Sequence, residues 1–229
     1  MIHYVFYGFA RNLFDKDLVD GSRRYAFLPS TRDEDLEERV TVDQVREKIG
    51  SDATVVTWEY DKPFFLQRVA AHPNIPRFNE HFQLHYRLLS SFYHIQRALA
   101  LLDDAEVAPE DTVVLSRLDL GLLRLDLPTA QALLKDHDVV VTGFNKDIGV
   151  NDSFFALRPS AIPAFKSIFD CYLDDYPRLP SSRSEDAIGF RLRETKQRVA
   201  AATSALVHLT YHHRCTRSCA CAVRRGDFE

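Results

Sequence analysis

Short apolar runs that alternate with helical segments are the feature that most limits how this chain can fold. Residues 54–58, 112–116 and 139–142 are rich in β-branched side chains, which favour strands. Leu88, Phe92 and their successors at helical spacing instead form one apolar face of a long helix. Strands that alternate with helices predict an α/β fold with a mainly parallel central sheet flanked by helices.

The same patterns assign most of the chain to elements. Strands are expected at residues 2–9, 54–58, 112–116, 139–142, 154–157 and 205–209, and helices at 41–49, 79–103, from Pro128, at 159–174 and at 184–196. Residues 15–40 carry many charges, and residues 62–78 contain Pro63, Pro73 and Pro76. Both segments are therefore interpreted as loops.

Length and charge narrow the classes of protein to which the chain belongs. Its 229 residues fit one large domain, expected over residues 1–213 and followed by a loosely held tail over 214–229. A formal net charge of -4 makes nucleic acid a poor partner. No apolar stretch is long enough to span a membrane, and the start reads as a strand rather than a signal peptide. We therefore expect a cytoplasmic protein.

Three of the four cysteines, Cys215, Cys219 and Cys221, lie in the tail. Thiolates and the nearby imidazoles of His212 and His213 are zinc ligands, so a zinc clip is one interpretation. The spacing matches no common zinc module. The alternative is a tail with reduced thiols.

Polar residues follow or precede several of the expected strands. In an open α/β sheet, ligands bind beyond the carboxyl ends of the strands. The residues at these positions are Gly8 and Arg11, Trp58 and Asp61, Arg117 and Asp119, Asp152, Glu185 and Asp186, and His208. Each also has an ordinary structural interpretation, such as an ion pair, a turn, a packed ring or the acidic first turn of a helix.

The order of these segments resembles the nucleotide-sugar-dependent glycosyltransferases of the GT-A fold, over about residues 2 to 213. Arg117-Leu118-Asp119 stands where that family carries D-x-D, and N-D-S-F-F-A-L-R-P-S at 151–160 is similar to a motif of one retaining branch. An acidic pair that opens a helix and a late V-H follow, at Glu185-Asp186 and His208. Tyr7-Gly8-Phe9-Ala10-Arg11 looks like a first nucleotide-binding turn.

Three positions depart from the family pattern. Arg117 replaces an acid, and Asp152 stands where the retaining branch has a small residue. No G-x-K-P-W follows His208. The sequence leaves both a retaining and an inverting reaction open. The acid at position 152 slightly favours the inverting one, in which a general base activates the acceptor.

The resemblance implies a Rossmann-like GT-A domain that moves a sugar from a UDP- or GDP-sugar to a hydroxyl of a glycan or other acceptor. It implies that Mn²⁺ or Mg²⁺ is held by Asp119 and His208. On the nucleotide side it implies contacts to phosphate, ribose and base from Gly8, Arg11, Trp58, Asp61 and Arg117. Asp152 is expected to be the general base, with Glu185 or Asp186 as its rival.

Two other functions remain open from the sequence. A nucleotidyltransferase also uses an α/β sheet, a metal and acids, but it usually has a Gly-rich first loop, whereas this chain has only Gly8 and then Arg11. A non-catalytic module that binds a glycan or a protein is favoured by Arg117 in place of an acid.

Overall fold

The computed structural model describes residues 1–8, 16, 18–29, 40–75, 82–118, 121–144, 149–152, 154–202 and 207–210. The strands are β1 (Ile2–Tyr7), β2 (Arg23–Pro29), β3 (Thr54–Trp58), β4 (Thr112–Arg117), β5 (Gly121–Leu125), β6 (Val139–Val141), β7 (Phe154–Leu157), β8 (Val199–Ala201) and β9 (Val207–Thr210). The helices are α1 (Val42–Ile49), α2 (Lys62–Ala71), α3 (Phe82–Ala100), α4 (Leu127–Leu133), α5 (Ile162–Asp175) and α6 (Ser184–Glu194).

The main sheet has the strand order β3-β2-β1-β4-β7-β6-β8 among the described residues. Only β7 runs against its neighbours in this sheet, since every other strand has the direction of β1. The expected α/β fold with a mainly parallel central sheet is therefore confirmed. A separate ladder pairs β5 with β9 in antiparallel orientation.

Helices cover both faces of the main sheet. Val5 and Tyr7 of β1 belong to a buried cluster with residues of α2, α3, α5 and α6. Tyr4 and Phe6 alternate with them and join residues of α1 and α4 on the other face. A β-strand directs successive side chains to opposite faces, so β1 contributes to both cores and is apolar throughout.

The long helix α3 packs as its periodicity predicts. Phe92, Ile95 and Leu99 are essentially inaccessible to solvent and lie in the core beneath the sheet. None of the helices in the described ranges is both long and apolar enough to cross a membrane.

Two segments interpreted as loops contain regular structure instead. Residues 15–40 include β2, which lies between β1 and β3 and is buried from Tyr25 onwards. Residues 62–78 include α2, in which Pro63 occupies the first turn and the carboxylate of Asp61 accepts a hydrogen bond from the backbone N–H of Phe64 at 2.9 Å. A proline in the first turn removes no helical hydrogen bond, so it starts this helix rather than breaking it.

Candidate functional site

The strand order reverses between β1 and β4. From β1 the chain continues to β2 and β3 on one side, whereas β4 lies on the other side. Ligands of open α/β sheets bind at this kind of crevice, outside the carboxyl ends of the strands. The backbone N–H of Leu118 donates to the carbonyl of Tyr7 at 3.0 Å, so the ends of β4 and β1 are joined. Gly8 then turns away with φ of +90°, a conformation that side chains disfavour.

Two cationic side chains stand at the end of β4. Arg117 is half-buried and is paired in register with Tyr7. The ammonium of Lys16 donates to the carbonyl of Leu118 at 3.0 Å and lies 5.7 Å from the centroid of the Phe6 ring. Phe6 and Tyr7 face opposite sides of the sheet, so the two cations approach the strand end from different sides. This arrangement suits an anion placed beyond the strand ends.

The acidic part of the site is delivered by the reversed strand. Because β7 is antiparallel to β4, the residues that precede it lie at the same edge as the end of β4. The carbonyl of Asp152 accepts a hydrogen bond from the Tyr7 hydroxyl at 3.0 Å. Its carboxylate oxygen Oδ2 accepts from the hydroxyl of Ser184, the first residue of α6. The positive end of the α6 dipole favours a carboxylate at this place.

Glu185 lies next to Asp152 in this arrangement. Its Oε2 is 3.2 Å from the same Ser184 hydroxyl, and its backbone carbonyl accepts from the N–H of Val150 at 3.1 Å. A hydroxyl carries one hydrogen, so Ser184 donates to one of the two carboxylates at a time. The shorter contact is the one to Asp152. Both acids are half-buried at the edge of the sheet.

Asp186 has a different environment from the other two acids. Its side chain is fully buried, and its Oδ2 accepts from Nη2 of Arg183 at 3.1 Å and from the hydroxyl of Ser181. These contacts fasten the segment in front of α6 to the helix. Folding thus brings Asp152 close to the adjacent pair Glu185 and Asp186, although it lies 32 positions before Ser184. Of the three acids predicted for catalysis, Asp152 and Glu185 share a polar contact on the site side, through Ser184.

Trp58 and Asp61 lie two strands away from β1, at the end of β3. Neighbouring strands are separated by about 4.8 Å, which places them about 10 Å across the sheet from Tyr7. The Trp58 ring packs against Tyr93, with ring centroids 4.9 Å apart, and against His94 at 5.6 Å. Asp61 is exposed and caps α2.

His94 is the buried titratable group of this aromatic cluster. Burial away from water lowers the pKa of its imidazole to about 3, against the smaller opposing effect of a hydrogen bond with the Ser90 backbone. Burial disfavours the charged form, so the imidazole is neutral at physiological pH.

The predicted metal ligands fall largely outside the described residues. Asp119 is not among the described residues, and His208 is described for its backbone alone. Arg11 and the tail from residue 211 also lie outside the described residues. The register of β5 and β9 pairs Gly121 with Thr210, so the strand of His208 runs beside the segment that follows Asp119. Among the side chains that the structure describes, no three His, Cys, Asp or Glu residues cluster as a metal site.

Three residues of the site were not singled out from the sequence. Tyr7 falls within the strand expected at residues 2–9. Ser184 is the first residue of the helix expected at residues 184–196, and the structure places Arg183 at the cap position before it. Lys16 lies in a charged segment and contacts a carbonyl 102 positions away. Ser184 had a local signal, since it precedes an acidic pair at a helix start, whereas the contacts of Tyr7 and Lys16 depend on the folded sheet.

No protein-family model and no curated protein sequence matches this chain. Among solved structures, the apo form of mouse xyloside xylosyltransferase 1 is similar in fold, with 10% sequence identity and a TM-score of 0.43. The similarity covers 87% of this chain and 83% of that chain. At this degree of likeness the mouse enzyme assigns no role to any residue described above.

Proposed function

We propose that this chain is a glycosyltransferase that moves a sugar from a nucleoside-diphosphate sugar, with UDP or GDP as the nucleotide, to a hydroxyl of a glycan or other acceptor. The observation that carries the proposal is the division of charge at the crevice between β1 and β4. Cations lie at the end of β4, and two carboxylates tied to Ser184 lie beside them. A transferase needs both, because its leaving group is an anion and its nucleophile must lose a proton.

The cationic part of the site suits the leaving diphosphate. Negative charge grows on the β-phosphate as the bond to the sugar breaks. Fixed cations stabilise that charge more in the transition state than in the ground state, which lowers the barrier. Arg117 and Lys16 take this role, and Gly8 leaves the turn after β1 without a side chain where the nucleotide approaches. Arg11 contributes a further cation, while Trp58 and Asp61 bound the base pocket at the end of β3.

Asp152 is the general base in this proposal. Its Oδ2 is held by Ser184 and its carbonyl by Tyr7. The other carboxylate oxygen, Oδ1, accepts the proton of the acceptor hydroxyl, whose oxygen forms the new bond to the anomeric carbon as the nucleoside diphosphate departs with the old bonding pair. Attack opposite the leaving group inverts the anomeric centre. Glu185 orients the acceptor, and the buried Asp186 keeps α6 in position through Arg183.

Asp119 and His208 are the residues that hold a divalent cation in the proposal. Carboxylate oxygen and imidazole nitrogen are ligands for Mn²⁺, and carboxylate oxygen also suits Mg²⁺. When bound, the ion adds positive charge at the diphosphate. Asp119→Ala is then expected to abolish metal-dependent turnover while the fold is kept, and unchanged turnover in that variant contradicts the metal assignment.

The proposal is tested with two variants that separate donor binding from catalysis. Arg117→Met is expected to weaken UDP or GDP binding at least tenfold in isothermal titration calorimetry. Asp152→Asn is expected to leave nucleotide binding intact and to lower kcat by about 10²–10⁴-fold, the usual contribution of a general base. Transfer is measured as release of nucleoside diphosphate from a panel of UDP- and GDP-sugars, with and without Mn²⁺.

Matched controls come from the opposite end of the molecule. Arg97→Met and Asp104→Asn change exposed residues of the same types near the end of α3 and are expected to match the wild type. A loss of donor affinity with unchanged kcat in Asp152→Asn refutes the role of Asp152 as base. Binding of a nucleoside triphosphate alone indicates a nucleotidyltransferase instead, and binding of no nucleotide indicates a non-catalytic module.

A further inference from the structure

The segment between β6 and β7 carries an exposed aromatic ring at the edge of the candidate site. Phe144 forms an antiparallel bridge with Val150, and the N–H of Asn151 donates to the carbonyl of Gly143 at 3.0 Å. Residues 143–144 are thus paired with residues 150–151. Phe144 is 58% exposed, whereas Val150 is almost fully buried. Phe144 therefore presents much of its ring to solvent from a paired backbone.

The paired segment is fastened to the acidic part of the site. The N–H of Val150 donates to the carbonyl of Glu185 at 3.1 Å, and Asp152 follows Val150 by two residues. Asp152 is in turn tied to Tyr7 and to Ser184. One set of hydrogen bonds therefore connects the backbone of Phe144, through its bridge partner Val150, to Glu185 and to Asp152, which follows Val150 by two positions.

A single exposed phenylalanine on a protein surface needs no functional explanation. Phe144 differs because its backbone is fixed next to two half-buried carboxylates. A ring face binds apolar C–H groups, and the carboxylates accept hydrogen bonds from hydroxyls. A ligand that offers both is a neutral polyhydroxylated ring. A phosphate-bearing ligand is disfavoured here, since like charges of Asp152 and Glu185 repel it.

We propose that Phe144 is the platform on which a sugar ring of the acceptor stacks, with its reacting hydroxyl directed to Asp152. This inference rests on the proposed function, because it identifies the acceptor of that reaction as a carbohydrate. It also divides the edge of the sheet into a nucleotide side at β1 to β4 and a carbohydrate side at β6, β7 and α6.

Phe64 provides a matched control for the test. It is also a surface phenylalanine, 40% exposed, and it lies in α2, which follows β3. Strand β3 is four places from β7 in the sheet, or about 20 Å at the usual strand spacing. Both variants remove an exposed ring, but only Phe144 lies on backbone that is paired with the segment leading to Asp152 and bonded to Glu185.

The experiment measures carbohydrate binding directly. Wild type, Phe144→Ala, Phe144→Trp and Phe64→Ala are compared by saturation-transfer difference NMR with methyl glucoside, galactoside, mannoside and xyloside, in the presence of UDP or GDP. We expect the wild type, Phe144→Trp and Phe64→Ala to bind at least one glycoside through its C–H face. We expect Phe144→Ala to bind the same glycoside about tenfold more weakly with unchanged circular dichroism.

Four results overturn the inference: no glycoside binds to the wild type, Phe144→Ala equals the wild type, Phe64→Ala weakens binding as much as Phe144→Ala, or Phe144→Trp has lost binding like Phe144→Ala. Failure of the proposed function has a different signature. If glycoside binding depends on Phe144 but the wild type neither binds nucleotide nor turns over a sugar nucleotide, the carbohydrate site stands and the chain is a glycan-binding module.

Discussion

Removal of one oxygen atom, in Tyr7→Phe, tests how the site is held together. The Tyr7 hydroxyl donates to the carbonyl of Asp152 at 3.0 Å and links β1 to a residue 145 positions later. The ring itself is almost fully buried and keeps its packing in the variant. The carbonyl of Asp152 belongs to a half-buried residue, so water can replace the lost donor in part. We therefore expect a loss of about 0.5–1.5 kcal/mol in the free energy of unfolding.

For a chain of this size, 1 kcal/mol corresponds to about 2–4 °C in Tm. The effect on catalysis is expected to be larger than on stability. Asp152 loses one of the two contacts that fix it, and its carboxylate no longer stays in the geometry that proton transfer requires. We expect kcat to fall about tenfold, equivalent to about 1.4 kcal/mol, with the Kd for UDP or GDP unchanged.

The matched control is Tyr172→Phe. It deletes a hydroxyl that pairs with Nδ1 of His85 at 2.8 Å, between two side chains that are almost fully buried. Water cannot easily replace this contact, so the variant is expected to lose more stability than Tyr7→Phe, about 1–3 kcal/mol, and to keep its kcat. Thermal unfolding and sugar-nucleotide turnover are measured on both variants. An unchanged kcat in Tyr7→Phe, or an equal fall in both, refutes the reasoning.

Two further predictions concern Gly8 and His94. Gly8→Ala is expected to lower the free energy of unfolding in urea by about 1–2 kcal/mol. At a φ of +90° an alanine is strained, and among the described residues an added Cβ meets nothing within 4 Å, so backbone strain is the cost that we expect to measure. An unchanged value contradicts the strain argument. The pKa of His94 is lowered from 6.5 to about 3 in the folded chain. Between these two pH values the imidazole is protonated in the unfolded chain but neutral in the folded chain. Stability should therefore fall as the pH decreases over this window, by up to about 1.4 kcal/mol per pH unit, and His94→Gln should flatten the slope in urea titrations.

Much of the fold follows from local sequence patterns. The strands β1, β3, β4, β6 and β7 were expected close to their observed bounds, since each is a compact apolar run. The helix α3 was also expected, because one continuous face of it is apolar. Such elements are specified by their own residues, so the sequence alone identifies them.

The sequence did not predict β2, β5, β8 and α2. The three strands depend on pairing with strands that are distant in the chain, and α2 depends on where its proline lies in the helix. Strand β2 begins with Arg23 and Arg24 and lies in a segment with many charged residues. Its apolar residues, which pair with β1 and β3, therefore did not stand out as a strand. Prolines were taken as breakers in α2, although Pro63 sits in the first turn, where proline is compatible with a helix. Strands β5 and β8 are short and gain stability from pairing with β9 and β6.

The same distinction applies to the site. The rule that ligands bind beyond the carboxyl ends of strands selects Gly8 and Arg117 from the sequence. Asp152 precedes its strand and reaches the same edge of the sheet because β7 is antiparallel to β4, which the sequence did not indicate. The rule did not select Lys16, whose contacts with Leu118 and Phe6 exist only in the folded chain. The sequence also could not predict that Asp186 is buried whereas Glu185 lies on the site side. Two adjacent acids at a helix start acquire different environments only when the helix is packed.

The pairing of β1 with β4 has a consequence for how the protein folds. These two central strands are adjacent from Ile2 with Thr112 to Tyr7 with Arg117, although about 110 residues separate them along the chain. Closing so long a loop costs conformational entropy before any contact compensates for it, and folding is slow when such contacts dominate. The crevice between the two strands, with the Tyr7 hydroxyl bonded to Asp152, therefore depends on residues that are about 110 and 145 positions apart in the chain. The candidate site is thus a feature of the whole folded sheet, and no local segment of the chain can form it alone.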